Sequence, residues 1–234
     1  MKLAIMQPYL FPYFGYYQLI NSVDKFVVYD DVNFIKQGWI NRNSILINGK
    51  PFLFTVPLKN QSSFLKINET LINENLFGSW AKKFLRSIEQ NYRNAPFYND
   101  VFPIITSIIE AKDLYISSLA VGSLKKVSDY IGITTVFEDS SSGYNNSHLS
   151  SQERVLDICK QENATHYINP IGGLDLYSKD DFYAKGIRLN FVQSNPVIYK
   201  QFNHPFVSHL SIIDMLMFND KAEIKKYINN YELV

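Results

Sequence analysis

Lys2-Leu3-Ala4-Ile5-Met6 runs into Gln7-Pro8-Tyr9-Leu10-Phe11-Pro12, and a little further on stands Asp24-Lys25-Phe26-Val27-Val28-Tyr29-Asp30-Asp31. The first run is short and apolar, and Gln-Pro stops it, which is the pattern of a buried strand. Pro8 and Pro12 keep the loop after it out of helix. A helix is predicted to start at Tyr13 or Phe14 and to carry Tyr16, Tyr17, Leu19 and Ile20. The second apolar run predicts a strand within 24–30, closed by the acidic pair. Strand, loop, helix and strand in this order make a parallel unit, because only a crossover of that length brings the second strand in beside the first. The fold class is therefore α/β with a mostly parallel sheet.

The rest of the chain extends that unit. Residues 44–47 and 52–56 are β-rich and flank Asn48-Gly49, a strong short hairpin signal. Helices are predicted over 77–92, 101–110 and 114–131, with Pro96 breaking the chain between the first two and Gly132 stopping the third. This helical stretch, 77–131, reads as an insertion or cap. Thr134–Phe137 reads as a strand, and 140–151 as the longest, polar and flexible loop. A helix through Ile158 is expected to start at Ser150 or Ser151, with Glu153 completing a capping box. Strands are predicted at 165–168 and 188–192, and helices at 211–217 and 222–231. No repeat, linker or composition shift divides the chain, so one domain over 1–234 is expected.

Composition narrows the function. The chain has 234 residues, a net charge of +1 and 19% charged residues. That balance gives no electrostatic footprint for nucleic acid or a membrane surface. The aromatic share is 15%, with 16 Tyr and 17 Phe, which suits a core and a ligand pocket alike. The single Cys159 sits in an apolar helical pattern and reads as a buried small hydrophobe. No Cys/His spacing suggests zinc. The apolar start at Leu3 is too short for a leader or a membrane span, which predicts a cytoplasmic protein with no membrane insertion.

Four constellations carry candidate chemistry. Gln7, Tyr9, Gly15 and Tyr16 lie where the first strand meets a helix N-terminus, the place where open α/β sheets bind ligands. Asp30 and Asp31 end the second strand beside Trp39, Asn41, Arg42 and Asn43. Adjacent residues of a strand point to opposite faces, so one aspartate is expected in a site. Arg42 has the fork that suits a phosphate or carboxylate. Asn169, Gly172, Gly173 and Tyr177 follow another strand, where a glycine pair cradles a phosphate or simply turns. His204 and His209 are candidate acid–base groups, while Ser211 and Asp214 fit a helix cap. No nucleophile elbow, Walker loop or dinucleotide glycine fingerprint is present.

At these residues the chain resembles the WbqC-like family. The likeness rests on Gln7-Pro8-Tyr9 with Pro12, Gly15 and Tyr16, on Asp24 and Asp30-Asp31, on Asn41-Arg42-Asn43, and on Leu210-Ser211-Ile212-Ile213-Asp214. Met6 and Tyr13 depart from it, standing where the family often has His and Trp. The resemblance implies bacterial polysaccharide or O-antigen (lipopolysaccharide) biosynthesis and a glycine transferase role. The layout is also similar to the HUP-type nucleotidyltransferases, which implies a Rossmann-like (HUP-like) sheet. Their His-x-Gly-His triphosphate loop is replaced by Tyr13-Phe14-Gly15-Tyr16, which leaves adenylyl transfer by that device unsupported.

The leading expectation is a transferase that moves an acyl or aminoacyl group onto a nucleotide-linked amino sugar. Gln7 and Tyr9 would orient substrate and Arg42 would meet an anion. Asp30, Asp31 or His204 would act as base, and amides near Gly15 would stabilise an oxyanion. The expected partners are the nucleotide-linked sugar and an acyl donor, which a carrier protein would present. No cofactor is expected for this chemistry. A metal-dependent glycosyltransferase, using the aspartate pair to hold a divalent ion, and a non-catalytic binding partner in the same pathway are the alternatives.

Overall fold

The computed structural model describes all residues, 1–234. The strands are β1 (Lys2–Met6), β2 (Lys25–Val28), β3 (Arg42–Ile47), β4 (Lys50–Thr55), β5 (Val136–Glu138), β6 (His166–Pro170), β7 (Arg188–Ser194) and β8 (Tyr231–Leu233). The helices are α1 (Phe14–Asn21), α2 (Glu74–Tyr92), α3 (Tyr98–Ile109), α4 (Ile116–Ile131), α5 (Ser151–Gln161), α6 (Lys179–Ala184), α7 (Ile212–Phe218) and α8 (Lys221–Ile228).

Six strands form one sheet in the order β5-β2-β1-β6-β7-β8, parallel except for β8. The period of two in β1 explains the layering. Ala4 belongs to the larger apolar cluster on one face, with residues of α1, α4, α7 and α8. Leu3 and Ile5 belong to the smaller cluster on the other, with Val155, Ile158 and Cys159 of α5 and Phe182 of α6. Both faces are thus covered, as a parallel sheet requires. From β1 the chain builds toward β2 and β5 on one side; from β6 it builds toward β7 on the other. The switch between β1 and β6 opens a crevice at the strands' carboxyl ends.

The hairpin β3–β4 forms a separate two-stranded sheet. Its turn residues Asn48 and Gly49 have φ of 50° and 73°, the left-handed pair that a tight hairpin demands. Phe84 of α2 packs at a tilt against Phe54 of β4, with ring centroids 4.6 Å apart.

Several expectations are corrected. The helices of 77–131 do come as an insertion between β4 and β5, but as part of the main body: Phe84, Ile105, Leu124 and their neighbours lie in the same cluster as the sheet residues. The strand within 24–30 is shorter, 25–28, because the acidic residues turn away to bind other elements. The helix expected over 222–231 ends at Ile228, and Tyr231–Leu233 instead pairs antiparallel with β7. Ser150 precedes α5 without a side-chain cap, so the capping box is absent there. The stretch 140–151 is pinned rather than loose. Ser140 caps a 3-10 turn over Ser141–Tyr144, and Asn146 joins Arg154 at 2.9 Å to Asp157 at 2.7 Å. A longer irregular connection runs over 195–211. Cys159 is fully buried, which pushes its thiol pKa up to about 12. No helix is long and apolar enough to cross a membrane.

Candidate functional site

The loop after β1 is built as a rigid rim. Phe11 has φ of 43°, a left-handed conformation that a side chain other than glycine or asparagine rarely adopts. Its neighbours over-determine it. Ser123 Oγ accepts from the Phe11 amide at 3.2 Å, and Asn43 Nδ2 and Ser211 Oγ both donate to the Phe11 carbonyl at 2.8 Å. The Ile212 amide donates to the Pro12 carbonyl at 2.9 Å. The Tyr16 hydroxyl donates to the Gln7 carbonyl at 2.6 Å. Residues 7–12 are thereby tied to β3, α4 and α7 at once.

Two hollows meet at this rim and share Tyr13 and His209. The smaller, about 250 Å³, is lined by Tyr9, Pro12, Trp39 and Asn43 besides those two. The larger, about 450 Å³, lies between α1, the chain leaving β7 at Ser194–Tyr199, and the approach to α7. Tyr13 folds back over Gly15, where a Cβ would stand 2.3 Å from the ring, so glycine is required for that pose. His209 has φ of 57° and is exposed at the junction. The hydroxyl of Tyr9, the indole N–H of Trp39 and the ring nitrogens of His209 have no hydrogen-bond partner in the chain. Burial raises the pKa of both Tyr9 and Tyr13, so these phenols are neutral donors.

A buried carboxylate lies behind the larger hollow. Asp214 accepts from Tyr92 at 2.9 Å, Tyr199 at 2.7 Å and Gln201 at 2.6 Å. Burial raises its pKa, and these three donors oppose the shift. Ser211 does cap α7, but the Asp214 side chain serves this network and not a capping box.

The expected site residues thus divide. Tyr9, Trp39 and Asn43 line the cleft, while Gly15 and Tyr16 stand behind it, Gly15 under the Tyr13 ring and Tyr16 against Tyr9. Arg42 does not: it donates to the carbonyls of Gly38 at 3.0 Å and Gln37, and stacks over the Trp39 ring at 5.7 Å. Asn41 is buried and donates to the Val56 carbonyl at 2.9 Å. Gln7 is half-buried at the loop start. His204 rests on the hairpin turn, against Gly49, and lines neither hollow.

Asp30 and Asp31 are buried and engaged. Asp31 pairs with Arg154, which stacks on Tyr29 at 4.9 Å, and also accepts from Ser141 Oγ. Asp30 accepts from Ser117 Oγ at 2.8 Å, Ser140 Oγ at 2.7 Å and the Ser141 amide at 3.3 Å. Burial raises its pKa, and those hydrogen bonds pull the other way. Asp30 walls a separate polar hollow of about 500 Å³, rimmed by Lys125 and Asp139, themselves 2.6 Å apart. No three His, Cys, Asp or Glu side chains converge to hold a metal ion. Asn169 donates to the Tyr167 hydroxyl at 2.7 Å, and its Oδ1 stands 2.2 Å from where a Cβ on Gly173 would be. Tyr177 packs edge-on against Tyr167, and Gly172 is exposed in the 3-10 turn Ile171–Leu176. This third constellation is a packed turn in the structure.

Sequence reasoning missed the chain leaving β7. Asn195-Pro196 follows a strand just as Gln7-Pro8 does, and that repeated strand-then-proline signal marks both loops lining the cleft. It also missed Arg154, whose carboxylate partner is far off in sequence.

Fold and cleft define an α/β protein with an aromatic-lined cleft at the carboxyl ends of a parallel sheet. The model of the WbqC-like protein family matches residues 7–226, and the chain belongs to that family. It is 32% identical over 230 residues to the uncharacterized protein Rv1507c of Mycobacterium tuberculosis, covering 97% of each chain. No solved structure matches it.

Proposed function

We propose that this WbqC-like protein is a transferase of bacterial cell-surface polysaccharide assembly, moving an acyl or aminoacyl group onto the amine of a nucleotide-linked amino sugar. The observation that carries the reading is the meeting of unpaired Tyr9, Trp39 and His209 around one concave junction. Apolar faces with a few convergent polar groups are what a small polar ring needs in order to be held and oriented. In this reading Trp39 and Tyr9 flank the sugar, and Arg42 is a positioning residue that fixes the indole. His209 takes the place first expected of His204. Its imidazole accepts the amine proton as nitrogen bonds to the acyl carbon, then returns it to the heteroatom whose bond to that carbon breaks.

A metal-dependent glycosyl transfer would need Asp30 and Asp31 as ligands, and their oxygens are engaged by Arg154 and serines. The test is a thermal-shift screen against nucleotide-linked amino sugars, with and without magnesium or manganese, followed by acyl-transfer assays on the hits. A ligand at a hundred times its Kd stabilises by about 2.7 kcal/mol. Metal-independent binding with turnover that His209→Ala abolishes supports the proposal. Binding without turnover for any acyl donor makes the protein a binding partner, and metal-requiring binding makes it a glycosyltransferase.

A further inference from the structure

The larger hollow has a composition that the proposed reaction alone does not require. Ten of its sixteen lining residues are hydrophobic. Several polar groups of the lining, the Tyr199 hydroxyl included, bond to partners within the chain. Ser194 donates to Gln18, Asn195 to Asn230 at 3.1 Å, Ser211 to the Phe11 carbonyl at 2.8 Å, and Tyr199 to buried Asp214 at 2.7 Å. These polar groups are thereby engaged within the chain, and the surface left to the hollow is mainly apolar. No Lys, Arg, Asp or Glu lines it; His209, at the junction with the aromatic compartment, is its one ionisable side chain besides tyrosine. Ile198, on its edge, is 75% exposed and gives the mouth an apolar lip. A volume of about 450 Å³ is far more than a glycyl group fills, and away from the His209 junction a phosphate would find no Lys or Arg to meet its charge.

We infer that this compartment binds a hydrocarbon chain, so that the ligand joins a polar ring at Trp39 to an alkyl or prenyl tail beside Val197 and Met215. The inference rests on the proposed site and names its substrate class: a lipophilic acyl donor, or an acceptor already carrying a lipid. Tyr13 and His209 stand at the boundary, where tail and ring are joined.

The experiment is isothermal titration of the full chain with N-alkanoyl glucosamines of two, four, six and eight carbons, with geranyl phosphate as a separate arm. Affinity should rise about fourfold per methylene, the equivalent of ~0.8 kcal/mol, until the cavity is filled. Ile198→Lys, at an exposed position that leaves the fold intact, should flatten the rise, and Val207→Trp should stop it at shorter chains. Tight binding of geranyl phosphate in place of the amides identifies a prenyl tail as the source. Binding of the two-carbon member with no dependence on chain length overturns the inference while leaving the sugar site standing. Failure of every member to bind overturns both.

Discussion

The cleft around Tyr13 and the node around Asp30 and Asp31 both sit at carboxyl ends of parallel strands, and both gather polar side chains. They use those side chains in opposite ways. At the node both carboxylates are met from inside the chain: Asp31 by Arg154 and Ser141, Asp30 by two serine hydroxyls and an amide. In the cleft the polar ends of Tyr9, Trp39 and His209 face a hollow with no internal partner. Satisfied buried charge is architecture, because it binds distant segments and has nothing left to offer a ligand. Unsatisfied groups at a concave aromatic surface are available for one. Sequence reading names Asp30 or Asp31 as the base, with His204 as the alternative; the internal partners of both carboxylates move the proposed chemistry toward His209 and the rings.

This contrast breaks most readily at Arg154. Arg154→Ala should cost roughly 3–5 kcal/mol, because it leaves Asp31 buried without its counter-charge. Urea unfolding measures it, and a loss below about 1 kcal/mol would mean that the pair is not structural. The double variant Arg154→Met with Asp31→Leu should recover most of the loss. At the cleft, His209→Ala should leave the unfolding midpoint nearly unchanged and lower turnover on an identified substrate pair by ~10²–10⁴-fold. Equal turnover in the variant would remove the histidine from the chemistry.

A subtler separation uses pH. Burial raises the Asp214 pKa above the ordinary carboxylate value. Between that value and the raised one, the folded chain holds a proton that the unfolded chain has released, so this group's contribution to stability falls as pH rises. Asp214→Asn should therefore gain on the wild type as pH rises above the ordinary carboxylate value, measured as the difference of two unfolding curves at each pH. A difference independent of pH would contradict the assigned shift. The smallest effect is expected at the polar rim. Lys125 and Asp139 are well exposed, so Lys125→Ala should change stability by less than about 1 kcal/mol.

What was legible in the sequence follows the range of the forces involved. β1, β2 and the Asn48-Gly49 turn are set by neighbours within a few residues, and they were readable. Gly132, with φ of 85°, ends α4 where a left-handed residue was expected. β8 was not readable: three residues carry no usable period, and the strand exists because the edge of β7 is free to pair with it. The site was half readable. Gln7 to Tyr16 announced a loop at a strand end, but the partners that give each residue its role come from far along the chain. Asp31 meets Arg154 across 123 positions, and Asp214 meets Tyr92 across 122. Nothing local distinguishes His209 from His204. One lies at the cleft junction and the other on a hairpin turn because the connection over 195–211 folds as it does.

The most direct test of cleft against node is one binding titration of a nucleotide-linked amino sugar to three proteins: wild type, Trp39→Ala and Asp30→Asn. The account predicts that Trp39→Ala weakens binding tenfold or more, about 1.4 kcal/mol, while Asp30→Asn binds as the wild type does. Unchanged binding by Trp39→Ala together with loss in Asp30→Asn would place the ligand in the polar hollow and contradict the account.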